Sequence, residues 1–141
     1  MKLAKLTTEP IKMDDFQDLN DPRFGAVLFF HGNVRNQHKG KQITRLIYSA
    51  YEEMALATLE EILNERLSQT PDLKAMIIHR LGPLEIGETA VILGVASPHR
   101  LLAFETSIWV MDEIKKRVPI FKKEYYLENG KEQYHWVGIG E

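Results

Sequence analysis

The sequence predicts an α+β fold with a mainly antiparallel sheet and two long helices. Several apolar runs rich in β-forming residues follow one another without a helix between them, which favours antiparallel pairing. Two long segments, 52–69 and 100–118, are predicted to be helices, the first from its apolar stripe. Asn129-Gly130 separates the last two strand-like runs and suits a hairpin turn with positive φ. A length of 141 residues fits one domain, and we assign residues 1–141 to it.

Apolar patterns and turn residues place the elements in chain order. The continuously apolar run at 26–30 predicts a strand that is buried on both faces. The stripe of the first long helix includes Met54 and Leu63, and Pro119 ends the second helix. The other predicted elements are a strand at 3–11, a short helix at 14–19, a polar loop at 32–41, strands at 43–51, 73–80, 89–97, 120–127 and 132–137, and a very short strand between Gly82-Pro83 and Gly87-Glu88.

The composition excludes several classes of function. The net charge is -2 and the isoelectric point about 6.2, so the chain lacks the basic excess of a general nucleic-acid or membrane-surface binder. It has no cysteine, which removes disulfides, thiolate metal sites and a cysteine nucleophile. The first residues lack the apolar core of a signal peptide, and no segment is apolar for long enough to span a bilayer. A cytoplasmic protein is therefore expected.

The segment Ser97-Pro98-His99-Arg100 predicts an anion site at the start of the second long helix. Serine suits the N-cap and proline the first helical position, which places His99 and Arg100 in the first turn. Positive charge there opposes the helix dipole at a cost of about 0.3–1 kcal/mol. A bound anion, held also by free backbone N–H groups, would offset that cost. The alternative is that both side chains face solvent or pair with a carboxylate.

A second cationic cluster, at residues 115–124, surrounds the end of the same helix. Cations in a last helical turn complement the dipole, so composition alone favours a solvated surface. The spacing adds that Lys115 ends the helix and Lys122 follows a proline corner, so both ammonium groups can fold into one pocket. Lysines in such a pocket can transfer protons near neutral pH. Lys122 and Lys123 point to opposite faces of a strand, so one of them reaches the pocket.

The remaining polar residues give weaker predictions. Arg35 lies in the polar loop and can hold a phosphate or carboxylate through its guanidinium fork, although a solvated arginine is the alternative. His79-Arg80 follows a strand, where a histidine is more often structural than a ligand. The five histidines show no metal-ligand spacing, and Gly138-Ile139-Gly140 lacks the setting of a dinucleotide fingerprint. We therefore expect neither a metal nor a cofactor.

Five segments, in this order and spacing, carry a resemblance to a known family. They are Gly25-Ala26-Val27-Leu28-Phe29-Phe30-His31-Gly32-Asn33-Val34-Arg35, Tyr48-Ser49-Ala50-Tyr51-Glu52-Glu53-Met54-Ala55, His79-Arg80-Leu81-Gly82-Pro83-Leu84 with Gly87-Glu88, Ser97-Pro98-His99-Arg100 with Ala103-Phe104, and Lys115 through Glu124. Together they resemble the large-subunit family of molybdopterin synthase, from about Thr8 to Val137. Phe121 departs from the family pattern, which often has tryptophan there.

The resemblance implies a single-domain α/β hammerhead-type fold and an enzyme of molybdenum cofactor biosynthesis. It implies a homodimer of this chain that carries a small ubiquitin-like sulfur-carrier subunit at each end, giving a heterotetramer. The carrier would insert its Gly-Gly C-terminus as a thiocarboxylate. This sulfurtransferase would add two sulfurs to cyclic pyranopterin monophosphate, opening the cyclic phosphate and leaving a dithiolene. The absence of cysteine agrees with this activity, because the sulfur arrives on the partner.

The resemblance also assigns roles to residues of this chain. Lys115 and Lys122 match the lysines regarded as catalytic in the family. Part of the pocket is expected across the dimer interface. The residues expected to bind the substrate or line its pocket are Arg35, His99, Arg100, Arg80, Phe30 and Met111.

Two other functions are compatible with the same residues. A dimeric scaffold could bind a phosphorylated ligand or a carrier tail without catalysis, and it would tolerate loss of Lys122. A phosphoesterase could use His99, and it would release phosphate from a cyclic phosphate without any carrier. The sulfurtransferase is the prediction that the resemblance supports.

Overall fold

The computed structural model describes residues 3–138 and has the predicted α+β architecture. Its elements are β1 (Ala4–Thr7), a 3-10 helix (Met13–Leu19), β2 (Ala26–Asn33), β3 (Gln37–His38), β4 (Lys41–Ala50), α1 (Glu52–Gln69), β5 (Lys74–Arg80), β6 (Gly82–Glu85), β7 (Thr89–Ser97), α2 (Arg100–Arg117), β8 (Ile120–Glu128) and β9 (Lys131–Val137). Ile139 and Gly140, which belong to the glycine-containing tail, lie outside the described residues.

β5 and β7 form the centre of a four-stranded sheet with the order β1-β5-β7-β2. β1 runs parallel to β5, whereas β7 pairs antiparallel with both β5 and β2. Leu93 and Val95 of β7 belong to the core that α1 and α2 form on one face, while Ile92 and Ala96 pack against Phe16 of the 3-10 helix on the other. Because successive side chains alternate between faces, these central strands are apolar throughout.

The second sheet is antiparallel and has the order β3-β4-β8-β9, with β6 paired to β4. β3 and β6 follow one another along one edge of β4, and β8 lies along the other. The hairpin between β8 and β9 turns at Asn129 and Gly130, with φ of 54° and 75°. The predicted turn is confirmed, since such hairpins need positive φ at both central residues.

The two long helices pack together and share an ion-pair cluster. α1 buries Ala55, Leu59, Ile62 and Leu63, and α2 buries residues that include Val110 and Ile114. Arg117 near the end of α2 reaches the carboxylates of Glu65 at 2.7 Å and Glu61 at 3.4 Å on α1. Within residues 3–138, neither helix is apolar enough to cross a membrane.

Three details of the sequence prediction are wrong. The strand predicted at 26–30 continues to Asn33 and lies at a sheet edge, so it is not buried on both faces: Val27 is 42% and Phe30 41% exposed. An apolar run does not distinguish a central strand from an edge strand. The polar loop at 32–41 contains the short β3, and Met54 is 59% exposed rather than part of the core.

Candidate active site

A cavity of about 430 Å³ lies where both sheets meet the C-terminal end of α2. Its walls come from β2 and the loop after it, from β4, β5, β7 and β8, and from the last turns of α2. The lining residues that carry polar or aromatic chemistry are Phe30, Asn33, Arg35, Tyr48, His79, Met111, Lys115 and Lys122. None of the lining residues among positions 3–138 is acidic, so the cavity is strongly cationic.

The side chain of Lys115 points in a different direction from those of Lys116 and Arg117 in the same helical turn. Arg117 donates to Glu65 at 2.7 Å and to Glu113 at 3.3 Å, and the ammonium of Lys116 lies 3.6 Å from Glu113. Arg117 is therefore engaged with carboxylates of both helices, and Lys116 with a carboxylate of its own helix. Lys115 instead lines the cavity.

Strand β8 brings Lys122 into the same cavity. Val118 and Pro119 turn the chain from α2 into β8, and Lys122 then lies opposite Tyr48 of β4. Lys123 points to the other face, with its ammonium 4.0 Å from the ring centroid of Tyr134. As predicted, one of the two neighbouring lysines reaches the cavity.

Arg35, Phe30 and Met111 also line the cavity. The loop that carries Arg35 is held by its neighbour Val34, which is buried, donates its N–H to the Glu88 carbonyl at 2.9 Å and accepts from Gly87 at 2.7 Å. The pairing of β2 with β7 shifts at Gly32/Asn33. These contacts direct the polar loop towards the lysines.

His79 and Tyr48 are cavity residues that the sequence analysis did not select. Nδ1 of His79 lies 2.8 Å from the Arg80 carbonyl, which can only accept, so Nδ1 carries the hydrogen and Nε2 keeps its lone pair. Burial, together with the charge of Lys122, lowers the pKa of His79 to about 4 against the opposing effect of that carbonyl. The rings of His79 and Tyr48 meet edge-on at 5.0 Å. Burial raises the pKa of Tyr48 to about 12, so its hydroxyl remains a donor.

Arg80 does not line this cavity, contrary to the prediction. Its side chain leaves β5 on the face opposite His79 and donates to Glu88 at 2.9 Å. Glu88 in turn accepts from the backbone N–H of Glu85 at 2.7 Å. This ion pair connects the end of β5 to the β6–β7 turn.

His99 and Arg100 lie at the opposite end of α2 from Lys115. A rise of 1.5 Å per residue separates Arg100 from Lys115 by about 22 Å, and neither residue lines the cavity of its own chain. The helix begins at Arg100 as predicted, but its predicted cap is wrong: His99, not Ser97, is the N-cap, and the Ser97 hydroxyl donates to the His99 carbonyl at 2.6 Å. Pro98 therefore precedes the helix.

The fold and cavity together define a class of protein: an α+β domain with a cationic cavity whose lining suits negatively charged groups. The side chains of two lysines and an arginine line one partly open space, where a negatively charged group would be stabilised more than in bulk water. An uncharged imidazole and a phenol beside them supply an acceptor and a donor.

Comparison with known proteins identifies the family. The family model described as MoaE protein matches residues 6–117. The molybdopterin synthase catalytic subunit of Staphylococcus carnosus is 41% identical over 98% of this chain and 90% of its own length. The crystal structure of molybdopterin synthase from Staphylococcus aureus superposes with a TM-score of 0.88 and 35% identity over 98% of both chains. A Helicobacter pylori complex of subunits 1 and 2 of molybdopterin-converting factor has the same fold, with a TM-score of 0.73 and 21% identity over 94% of this chain and 89% of that one.

The chain belongs to the MoaE family, the catalytic subunits of molybdopterin synthase. It is an enzyme subunit of molybdenum cofactor biosynthesis, and the predicted sulfur transfer agrees with that function. The predicted fold is confirmed by the same comparison.

Proposed function

We propose that this subunit transfers sulfur at the cavity described above, from the thiocarboxylated C-terminus of a small ubiquitin-like carrier to cyclic pyranopterin monophosphate. The observation that carries the proposal is the convergence of Arg35, Lys115 and Lys122, from three separate elements, on one space without acidic lining residues among positions 3–138. Both reactants bring negative charge to that space: a phosphate on one side and a terminal thiocarboxylate on the other.

The cavity suggests a division of roles. Arg35 holds the phosphate, because a guanidinium can donate two parallel hydrogen bonds to it. Lys115 and Lys122 neutralise the carrier terminus and the oxyanion that forms at each addition, and they move protons. Phe30 and Met111 provide apolar walls for the flat pterin.

His79 adds an uncharged acceptor among these cations. Its Nε2 lone pair accepts a hydrogen bond, whereas a guanidinium or an ammonium group can only donate. A pterin ring and a peptide terminus both carry N–H groups that need such an acceptor. We assign His79 to binding one of them.

A second cavity offers a route for the carrier tail. It has a volume of about 420 Å³ and shares Gly138 with the first cavity. Ser49, Tyr51, Phe121 and Trp136 line it, and Trp136 is 61% exposed. An extended glycine-rich tail would fit this cavity. Because glycine has no side chain, the backbone of the tail can pass between the aromatic rings. The complex of two subunits in Helicobacter pylori supports a small partner for this chain.

The exposed side of α2 supports a homodimer. Leu101, Phe104 and Ile108 are 65%, 50% and 64% exposed and recur at helical spacing. Such a stripe on a surface helix usually marks a protein contact. Packing a second copy against it would place His99 and Arg100 of one subunit near the partner. The proposed anion site would then be completed between subunits, with these residues binding substrate across the interface.

Replacement of Lys122 tests the proposed catalysis, and Lys123 supplies a matched control. Purified Lys122→Ala and Lys123→Ala would be mixed with thiocarboxylated carrier and the cyclic precursor, and dithiolene formation would be followed. We expect Lys122→Ala to lower the rate by at least about a hundredfold, because it removes stabilisation of the oxyanion. Lys123→Ala should stay close to the native rate, since its side chain faces away from the cavity. A native rate for Lys122→Ala, with carrier still bound, would show that Lys122 does not take part in the reaction.

A further inference from the structure

A second group of reactive side chains lies outside the cavity, on the second sheet. His38 of β3, Glu124 of β8 and His135 of β9 converge on one point. Nδ1 of His38 is 2.9 Å from both carboxylate oxygens of Glu124, and Nε2 of His135 is 2.8 Å from Oε1. One nitrogen or oxygen from each residue lies within 4.8 Å of those of the other two.

We propose that this cluster binds a divalent transition metal, with Zn²⁺ as the ion that its donors suit best. Two imidazole nitrogens and one carboxylate are a recurring Zn²⁺ donor set, which leaves a fourth position for water or another small ligand. Bonds of about 2.0–2.2 Å in a tetrahedron place donor atoms about 3.3 Å apart. The present separations of 2.8 and 2.9 Å from the Glu124 oxygens need to widen by roughly half an ångström, which small side-chain rotations supply.

The strands hold the three donors in place before any metal arrives. Glu124 and His135 are directly paired residues of β8 and β9, and β3 is joined to β8 through β4. A rigid scaffold of this kind favours binding, because little side-chain freedom is lost. The chain separations of 86 and 11 residues explain why no local metal motif is visible in the sequence.

The site is open on one side and closed on the other. The side chain of Glu124 is 4% exposed and that of His38 11%, whereas that of His135 is 35% exposed, so an ion would enter past His135. One carboxylate balances half of the charge of a divalent ion. Lys41 is paired with His38, and its ammonium lies 4.1 Å from the ring centroid of Tyr126, whose ring is 5.0 Å from that of His135. This residual positive charge favours an anion, such as hydroxide or chloride, as the fourth ligand.

Binding of Co²⁺ and Zn²⁺ to tag-free, chelator-treated protein tests the proposal. Co²⁺ in a tetrahedral site gives visible d–d absorption, so titration with CoCl₂ reports both affinity and geometry. We expect saturation at one ion per chain with micromolar or tighter affinity. His38→Ala and His135→Ala should each weaken binding at least about tenfold. His31→Ala removes an exposed histidine of β2 and should leave binding unchanged.

A thermal melt with ZnCl₂ provides the second measurement. Zn²⁺ should raise the melting temperature of the native protein and of His31→Ala, and should raise that of His135→Ala by clearly less at the same ZnCl₂ concentration. His135 is partly exposed, so its removal is compatible with folding even if the variant at His38 unfolds. The proposal is overturned if native protein does not bind Co²⁺ at micromolar concentration, or if both histidine variants bind it as well as native protein does. In either case the histidines serve as hydrogen-bond partners of Glu124.

Discussion

At the scale of single residues, His79 has a protonation state that its surroundings decide. Its folded-state pKa of about 4 lies below the ordinary value of 6.5, because burial and the charge of Lys122 oppose a positive ring. The unfolded chain therefore binds this proton more tightly. The contribution of His79 to stability is complete above about pH 6.5 and is lost as the pH falls towards 4.

Acid should consequently destabilise the native protein more than a His79→Asn variant, whose amide can still donate to the Arg80 carbonyl. At 1.36 kcal/mol per pKa unit, the extra loss between about pH 6.5 and pH 5 is roughly 2 kcal/mol. Urea unfolding of both proteins at these two pH values measures it. Equal losses in the two proteins would mean that His79 titrates normally when folded.

The sequence predicts the direction of a side chain correctly where the alternation of residues along a strand alone determines it. The alternation of a strand separates Lys122 from Lys123, and the structure agrees. The same rule separates His79 from Arg80, but the sequence does not say which face of β5 borders the cavity. Arg80 was selected from the family resemblance, and His79 was left out because a histidine at that place after a strand is more often structural than a ligand.

At the scale of elements, the close approach of the 3-10 helix to β7 depends on Gly94. A Cβ at this position would lie 2.4 Å from Leu19 Cδ1, 2.8 Å from Phe29 and 3.1 Å from Phe16. Leu19 is fully buried, so its methyl group cannot yield towards solvent. The short helix and the strand can pack together because the strand lacks a side chain there.

Gly94→Ala should therefore lower the free energy of unfolding by about 1–3 kcal/mol, the usual cost of overpacking. Gly138→Ala is the matched control, since an added Cβ there has no neighbour within 4 Å. Chemical denaturation of both variants gives the comparison. A stability for Gly94→Ala equal to that of the control would show that the 3-10 helix can shift without cost.

The sequence predicts the type and order of the elements better than it predicts which of their residues are buried. The two helices and the Asn129-Gly130 hairpin were predictable from apolar periodicity and turn chemistry. The edge position of β2 was not, because the apolar run describes side chains and not the number of neighbouring strands. Met54 fits the helical stripe of α1 yet lies exposed, since the stripe is wider than the surface that α2 and the sheet cover.

At the scale of the whole molecule, the residues that the sequence analysis expected at the site do not all meet within one chain. Arg35, Lys115 and Lys122 meet in the cavity as the sequence analysis expected, because a proline corner and a short loop bring their elements together. His99 and Arg100 do not meet them within one chain. The sequence does not show where a second subunit would lie relative to the N-terminal end of α2. The substrate-binding role of His99 and Arg100 therefore stays a prediction.

The oligomeric state tests this arrangement. Leu101→Glu combined with Ile108→Glu places two charges on the exposed stripe of α2 and should convert a dimer into a monomer, because burying unpaired carboxylates is costly. Light scattering after size exclusion measures the mass. We expect sulfur transfer to fall together with dimer content if His99 and Arg100 act across the interface.

Met54→Glu is the control for that experiment, because it charges an exposed apolar residue on the other helix and should leave the dimer intact. A folded double variant that remains dimeric would place the interface elsewhere. A monomer with full activity would remove His99 and Arg100 from the reaction while leaving the cavity lysines in place.

The corner at Pro119 has a consequence for which mutations the enzyme tolerates. Lys122 and Lys123 are chemically identical, and their inward or outward direction is set by counting residues along β8. Deleting one residue between Pro119 and Lys122 would keep all the lysines of this segment. It would, however, turn Lys122 away from the cavity and Lys123 towards it. The number of residues between Lys115 and Lys122 therefore decides which lysine faces the cavity. Inserting or deleting one residue in this segment should reduce activity more than most single substitutions do.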